Sequence, residues 1–421
     1  MKHSCRTPAY FAEFSCTGPG CPDTCCQAWD IVIDRGHYDD VRKRMTGVPK
    51  NAALFERYVV VNDQSSESRY ARVTMRENGF CPMLKSDGLC LIHDSYGIDK
   101  LWNVCTMYPR VLSKNVDHYE MAGALSCPEV VRLCLEDETP LKTVDYPLSS
   151  LPRPLDFPLY REIDGTEQDP YIVNFARVRD ALMLIMGDEE EALEARLFHL
   201  ATLANQLSSF YFRRCPTPDR VLLSTTLAKS LTQEERQRCA YEISHYQADE
   251  PLAISLIIPI LQLLQQHDAA LDISQLFNTI EEQHPAARAG EFLDAEYFRQ
   301  EISNRLTSLD KGLLRRIDRG INRYIINCLY RESFITMPCV QEYLQPLLVR
   351  ATSLRFLLLM HPTLNDIESI EEIDKLLVQV ISNFCRNIDQ SQSLLKVIYD
   401  ALADQQLLGY EYAPGFICLT T

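Results

Sequence analysis

Residues 14–34 read FSCTGPGCPDTCCQAWDIVID, and the four cysteines packed into this stretch, Cys16, Cys21, Cys25 and Cys26, decide how the amino-terminal third must fold. Gly18, Pro19 and Gly20 turn the chain back on itself, so several sulfurs converge on one centre. Short spacings of this kind also let backbone N–H groups stabilise thiolates, as metal ligation requires. Cys25 and Cys26 are adjacent and point differently, which leaves one of them open to another role. Asp23 reads as a turn cap rather than a proton carrier.

A second stretch, residues 81–93, reads CPMLKSDGLCLIH and supplies Cys81, Cys90 and a weaker candidate, His93. Cys105 in CTMYPR and Cys127 in SCPEV follow. Closing one site draws both stretches together. Zinc takes four ligands of this type, and an iron–sulfur cluster takes up to four cysteines, so spacing leaves zinc and iron–sulfur open. The surplus of thiols allows two sites, or one site with other cysteines packing as small hydrophobes. Cys5, Cys134, Cys215, Cys239, Cys328, Cys339, Cys385 and Cys418 are expected to pack. Tyr108 and Arg110, just after Cys105, have a hydrogen-bonding and an anion-pairing reading beside an ordinary structural one.

Ten of the sixteen cysteines precede residue 135. The opening MKHSCRTPAYFAEF lacks the apolar core of a secretory signal, so a cytoplasmic location with reduced thiols is expected. The 421 residues carry a formal charge of −16; residues 1–135 hold 16 basic and 16 acidic side chains, against 26 and 42 in the remainder. Without a dense cationic patch, nucleic acid and anionic lipid are unsuitable partners, whereas a lysine-bearing protein suits the acidic surface. Leu252–Leu264 is too short to cross a bilayer and contains Pro259, so no membrane span is expected and a buried helix is.

These features predict a mainly α protein: a cysteine-rich metal-bound or iron–sulfur domain over residues 1–135, a Pro-rich linker over 136–170, and an all-helical domain over 171–421. The linker rests on Pro140, Pro147, Pro152, Pro154, Pro158 and Pro170. Beyond it, Leu193, Leu197, Leu200, Leu203, Leu207 and Phe210 recur at steps of three or four, one helical stripe. Further helices are expected near 173–186, 227–246, 252–266, 295–330, 339–360 and 370–403, with ordinary core packing as their task.

The succession CPDTCCQAWDIVID, CPMLKSDGLCLIH and CTMYPR resembles the flagellin lysine-N-methylase family, whose amino-terminal part belongs with zinc- or iron-chelating cysteine domains. INRYIINCLYRESF and LLVRATSLRFLLL are similar to that family's helical half, so the resemblance runs nearly end to end. It implies methyl transfer from S-adenosylmethionine to lysine side chains of flagellin, with an iron–sulfur cluster of the [4Fe–4S] type, or zinc, in the cysteine-rich part. By matching motifs, the ligands are drawn from Cys16, Cys21, Cys25, Cys26, Cys81, Cys90 and Cys105. No catalytic residue and no donor-binding residue is identified. A Gly-rich nucleotide turn is not evident, and the C-x3-C-x2-C spacing that starts at Cys21 and Cys25 meets Ala28. The alternatives are a non-enzymatic zinc- or iron-binding interaction module and, last, an electron-transfer protein.

Overall fold

Val340–Leu359 is a helix of 20 residues buried around almost its whole circumference, which makes it the axle of the carboxy-terminal half. Leu193–Ser208, Lys311–Arg331 and Ile370–Phe384 pack around it. The structure, a computed structural model, describes residues 4–27, 31–151, 159–216, 219–247, 252–265, 271–289 and 292–419. Among these, no helix is long and apolar enough to cross a membrane. The fold is mainly α, as expected, but the amino-terminal third carries strands that the sequence reading did not name, and the region expected to be all-helical holds a short antiparallel pair, Arg288–Ala289 with Phe292–Leu293.

Phe175–Met186, Leu193–Ser208, Leu252–Gln265 and Val340–Leu359 lie where the apolar stripes place them; residue 266 falls outside the described residues. Three expected helices divide, each at a side-chain cap. Arg220–Ser230 gives way to Gln233–Ser244 where the Thr232 hydroxyl accepts from the Glu235 N–H at 3.3 Å. Ala295–Ser308 gives way to Lys311–Arg331 at Asp310, which accepts from the N–H groups of Gly312 and Leu313 at 2.7 and 3.2 Å. Ile370–Phe384 runs into a π-helical turn, Cys385–Asp389, before Ser391 caps Gln392–Asp404. Capping oxygens satisfy the N–H groups a new helix leaves unpaired, so these residues start helices rather than continue them.

A five-stranded sheet runs in the order Thr143–Pro147, Ser4–Pro8, His118–Gly123, Arg110–Asn115, Glu162–Ile163. Ser4–Pro8 lies parallel to His118–Gly123, with Cys5 opposite Tyr119. Two pieces of the stretch read as a linker thus pair with this sheet, at its opposite edges. Pro152, Pro154 and Pro158 lie outside the described residues. Gly123 sits where a Cβ would come within 2.6 Å of Val130 and 2.7 Å of Phe11, so the helix Pro128–Glu136 closes on the strand only because no side chain intervenes.

The sheet and the long helices share one large apolar core that runs from Cys5 to Leu419. A separate small core gathers Ile31, Ile33, Tyr38, Phe55 and Trp102. Around it Ile31–Ile33, Ala71–Val73 and Val59–Val61 form a three-stranded sheet with Ala71–Val73 in the middle. The helix Arg35–Met45 follows directly, capped by Asp34, and buries Tyr38, Val41 and Met45 one turn apart. Cys26, Cys90 and Cys105 pack on this small core, which supports them from below.

Candidate functional site

The cysteine loops are tied to each other through their backbones. Thr17 to Gly20 form a tight turn in which Gly18 adopts a φ of 56°, and the Gly18 N–H points at the Cys16 sulfur at 3.5 Å. The Cys81 N–H donates to the Cys26 carbonyl at 2.8 Å, and the Leu91 N–H donates to Met83 at 2.7 Å, folding Cys90 back beside Cys81. Gly88, with φ 81°, lets the KSDG turn rest against Pro19, its would-be Cβ lying 3.5 Å from that ring. Cys90 and Cys127 stand at the starts of the helices Leu91–Tyr96 and Pro128–Glu136, and Cys105 lies in Asn103–Met107.

All seven expected ligands therefore enter one neighbourhood. A hydrogen bond from the Cys25 thiol pulls Cys26 down to about 7, and Cys25 itself is pushed up. Burial pushes Cys81 up to about 12 and Cys105 well above its ordinary value, each further raised by neighbouring thiols: Cys26 and Cys90 for Cys81, and Cys81, Cys90 and Cys26 for Cys105. Cys127 joins on the other side, where burial and then Cys21 and Cys16 raise it to about 11. It is the eighth thiol of the group and lay outside the seven-residue set. His93 is exposed, and Cys5 and Cys134 are buried in the large core.

Among the described residues, no three of these sulfurs all lie within 4.8 Å of one another. A tetrahedral zinc with sulfur at about 2.3 Å brings its ligands to about 3.8 Å apart. The thiols are thus spread more widely than a closed mononuclear site demands.

The one compact trio of ligand-type atoms among the described residues is elsewhere: Cys328, Glu332 and Asp389, all buried. Arg350 spans Glu332 with contacts of 3.0 and 2.9 Å and reaches Asp389 at 2.9 Å. Arg331 meets Glu332 at 2.9 Å, and the Tyr343 hydroxyl donates to it at 3.2 Å. Burial pushes the Glu332 carboxyl up, but Arg350 and Arg331 more than offset this and hold it well below its usual range. With two guanidiniums on two carboxylates the trio is an ion-pair network, and a cation would have to displace both arginines. Sequence reading missed this network, because Cys328 and Glu332 are one turn apart while Asp389 and Arg350 come from other helices.

The π-helical turn joins the two regions. Arg386 pairs with Asp23 in the first cysteine loop at 2.5 Å, Gln390 donates to the Ser126 hydroxyl, and Tyr108 meets the same hydroxyl at 3.0 Å. Asp389 faces the opposite way, into the ion-pair network. Between these contacts lies a cavity of about 430 Å³ lined by Val104, Tyr108, Arg110, Leu112, Tyr160 and Gln390. A second cavity of about 400 Å³, with Tyr343, Tyr399, Glu332, Met337 and Asp400, shares Tyr160 as a wall.

The chain is thus mainly α, with a group of gathered thiols near one of two small-molecule-sized cavities. The family model for the FliB lysine N-methylase C-terminal domain matches residues 179–413, and the chain belongs to that family. Among curated proteins it is similar to the flagellar biosynthetic protein FliU of Salmonella muenchen, 27% identical over 131 residues, which is 31% of this chain and 76% of that protein. It is equally similar, at 27% over 131 residues, to the lysine-N-methylases of Salmonella typhimurium and Salmonella choleraesuis. The match spans 32% of the length of each of these two. No solved structure matches.

Proposed function

We propose that the chain is a protein-lysine N-methyltransferase that takes methyl from S-adenosylmethionine, acts on flagellin in the cytoplasm, and holds an iron–sulfur cluster through cysteines drawn from Cys16, Cys21, Cys25, Cys26, Cys81, Cys90, Cys105 and Cys127. The observation that carries the reading is the family match over residues 179–413, which covers every wall of the second cavity except Tyr160 and contributes Gln390 to the first. The names of the relatives support a lysine side chain as acceptor and a flagellar protein as its bearer. The gathered thiols outnumber the four cysteines that an iron–sulfur cluster takes. Such a cluster would supply a redox-active or structural thiolate centre beside the cleft.

In the reaction, the lysine nitrogen forms a bond to the methyl carbon as the carbon–sulfur bond breaks, leaving a thioether. The amine must first lose a proton, and its ordinary pKa of about 10.4 falls on transfer to an apolar setting. Tyr160, Tyr343, Tyr399 and Met337 give the second cavity aromatic and apolar walls that suit a lysine stem. Asp400, half-exposed and paired with Lys396 at 2.5 Å, meets the ammonium at the entrance. Glu332 is not the base: Arg350 twice, Arg331 and Tyr343 occupy its oxygens and hold it ionised. Its part is to anchor the wall from which Tyr343 projects.

The test is mass spectrometry of flagellin from a strain making both proteins, with and without this chain. Lysines gain methyl-sized increments only when the chain is present; unchanged flagellin refutes the substrate.

A further inference from the structure

Arg161, Arg179, Arg323, Arg331, Arg350 and Arg355 are buried, and each closes on a carboxylate. Arg196, also buried, donates instead to the Met186 carbonyl and the Asn322 side-chain oxygen, and half-buried Arg110 has no carboxylate either. Its guanidinium lies 5.2 Å over the Phe14 ring and has Tyr146 and the thiols Cys16 and Cys127 for charge neighbours, with no carboxylate paired to it among the described residues. It lines the 430 Å³ cavity half-buried, and among the described residues those thiols and Tyr146 are its anion-forming neighbours, with no carboxylate facing it. The rest of the lining divides cleanly: Tyr108 and Gln390 are polar and fixed through Ser126, while Val104, Leu112 and Leu159 are apolar. This is a pocket for an amphipathic small molecule with an acidic head and a flat apolar body, and its volume lies in the range of such sites.

We propose that Arg110 binds the carboxylate of the methyl donor in this cavity, placing the donor between the cysteine group and the Tyr160 wall that separates it from the acceptor cavity. The inference rests on the methyl-transfer reading. A planar guanidinium grips a carboxylate with two parallel hydrogen bonds, and Phe14 keeps the plane from rotating. The donor body then lies along Val104, Leu112 and Leu159, with Gln390 from the helical half closing the pocket.

The experiment uses the full chain purified anaerobically with its metal. Calorimetry compares S-adenosylhomocysteine with its decarboxylated analogue, which keeps the adenosine and the amine but lacks the acid. The unaltered protein is expected to prefer the acid-bearing ligand by roughly ten- to a hundredfold, the scale of a charge-assisted pair. Arg110→Gln loses that preference and binds both ligands alike, Arg110→Lys keeps part of it, and iron content stays at the level of the unaltered protein in both variants. In flagellin methylation the KM for the donor rises while kcat changes less. The proposal is overturned if Arg110→Gln binds S-adenosylhomocysteine as tightly as before, weakens both ligands equally, or loses its metal, the last result showing that Arg110 serves the thiolate centre. Should the unaltered protein bind neither ligand, the donor assignment under the proposed function falls as well, which separates the two failures.

Discussion

Replacing Arg350 with methionine tests the ion-pair network most directly. The substitution keeps much of the side-chain volume but removes two contacts to Glu332, at 3.0 and 2.9 Å, and one to Asp389, at 2.9 Å. Among the described residues, Arg331 is then the only guanidinium left between the two buried carboxylates. Breaking a buried pair in this way costs about 3–5 kcal/mol, because a charge remains without compensation. The sign with pH follows from Glu332. Its folded pKa is depressed, so its contribution is full above the unfolded value of about 4.3 and is lost as the pH falls through that value toward the folded one. In Arg350→Met burial dominates instead, the Glu332 pKa rises above the unfolded value, and protonation relieves the penalty. Urea denaturation at pH 7 and pH 5 should show a deficit of about 3–5 kcal/mol at the higher pH and a smaller one at the lower. A deficit under 1 kcal/mol, or one that does not change between the two pH values, refutes the network as described.

Three further outcomes are expected. Gly123→Val drives a side chain into Phe11 and Val130 and lowers stability by about 1–3 kcal/mol in denaturant titration. Cys127→Ser lowers bound metal in elemental analysis, whereas Cys328→Ser, in the other half of the molecule, leaves it unchanged. Asp310→Ala removes the cap of Lys311–Arg331 and costs about 0.5–2 kcal/mol, read as a lower melting temperature.

What could be seen in the sequence follows the range of the interactions involved. Helical stripes are local, and Leu193–Ser208 and Val340–Leu359 stand where their apolar residues put them. The convergence of cysteines was equally visible, since tight spacing and the Gly-Pro-Gly turn act within a few residues. Thr232, Asp310 and Ser391 are also local signals, yet the apolar pattern continues across them and hides the breaks. The strands Ile31–Ile33, Val59–Val61 and Ala71–Val73 are too short to show alternation, so only their pairing reveals them. Tyr108 and Arg110 stood out beside Cys105, but their cavity is closed by Gln390, a neighbour that only the folded chain supplies. Asp389 and Arg350 likewise meet through tertiary packing.

The π-helical turn makes the length of the chain at this point a constraint in its own right. Each residue of an α-helix advances the direction of side chains by about 100°, so deleting one residue from Cys385–Asp389 would swing everything after it by that angle. Arg386 could then hold Asp23 only if Asp389 let go of Arg350. Natural variation here should run to exchanges of side chain and not to gains or losses of a residue, and deleting Asn387 or Ile388 should uncouple the two halves even though every named contact partner is still encoded.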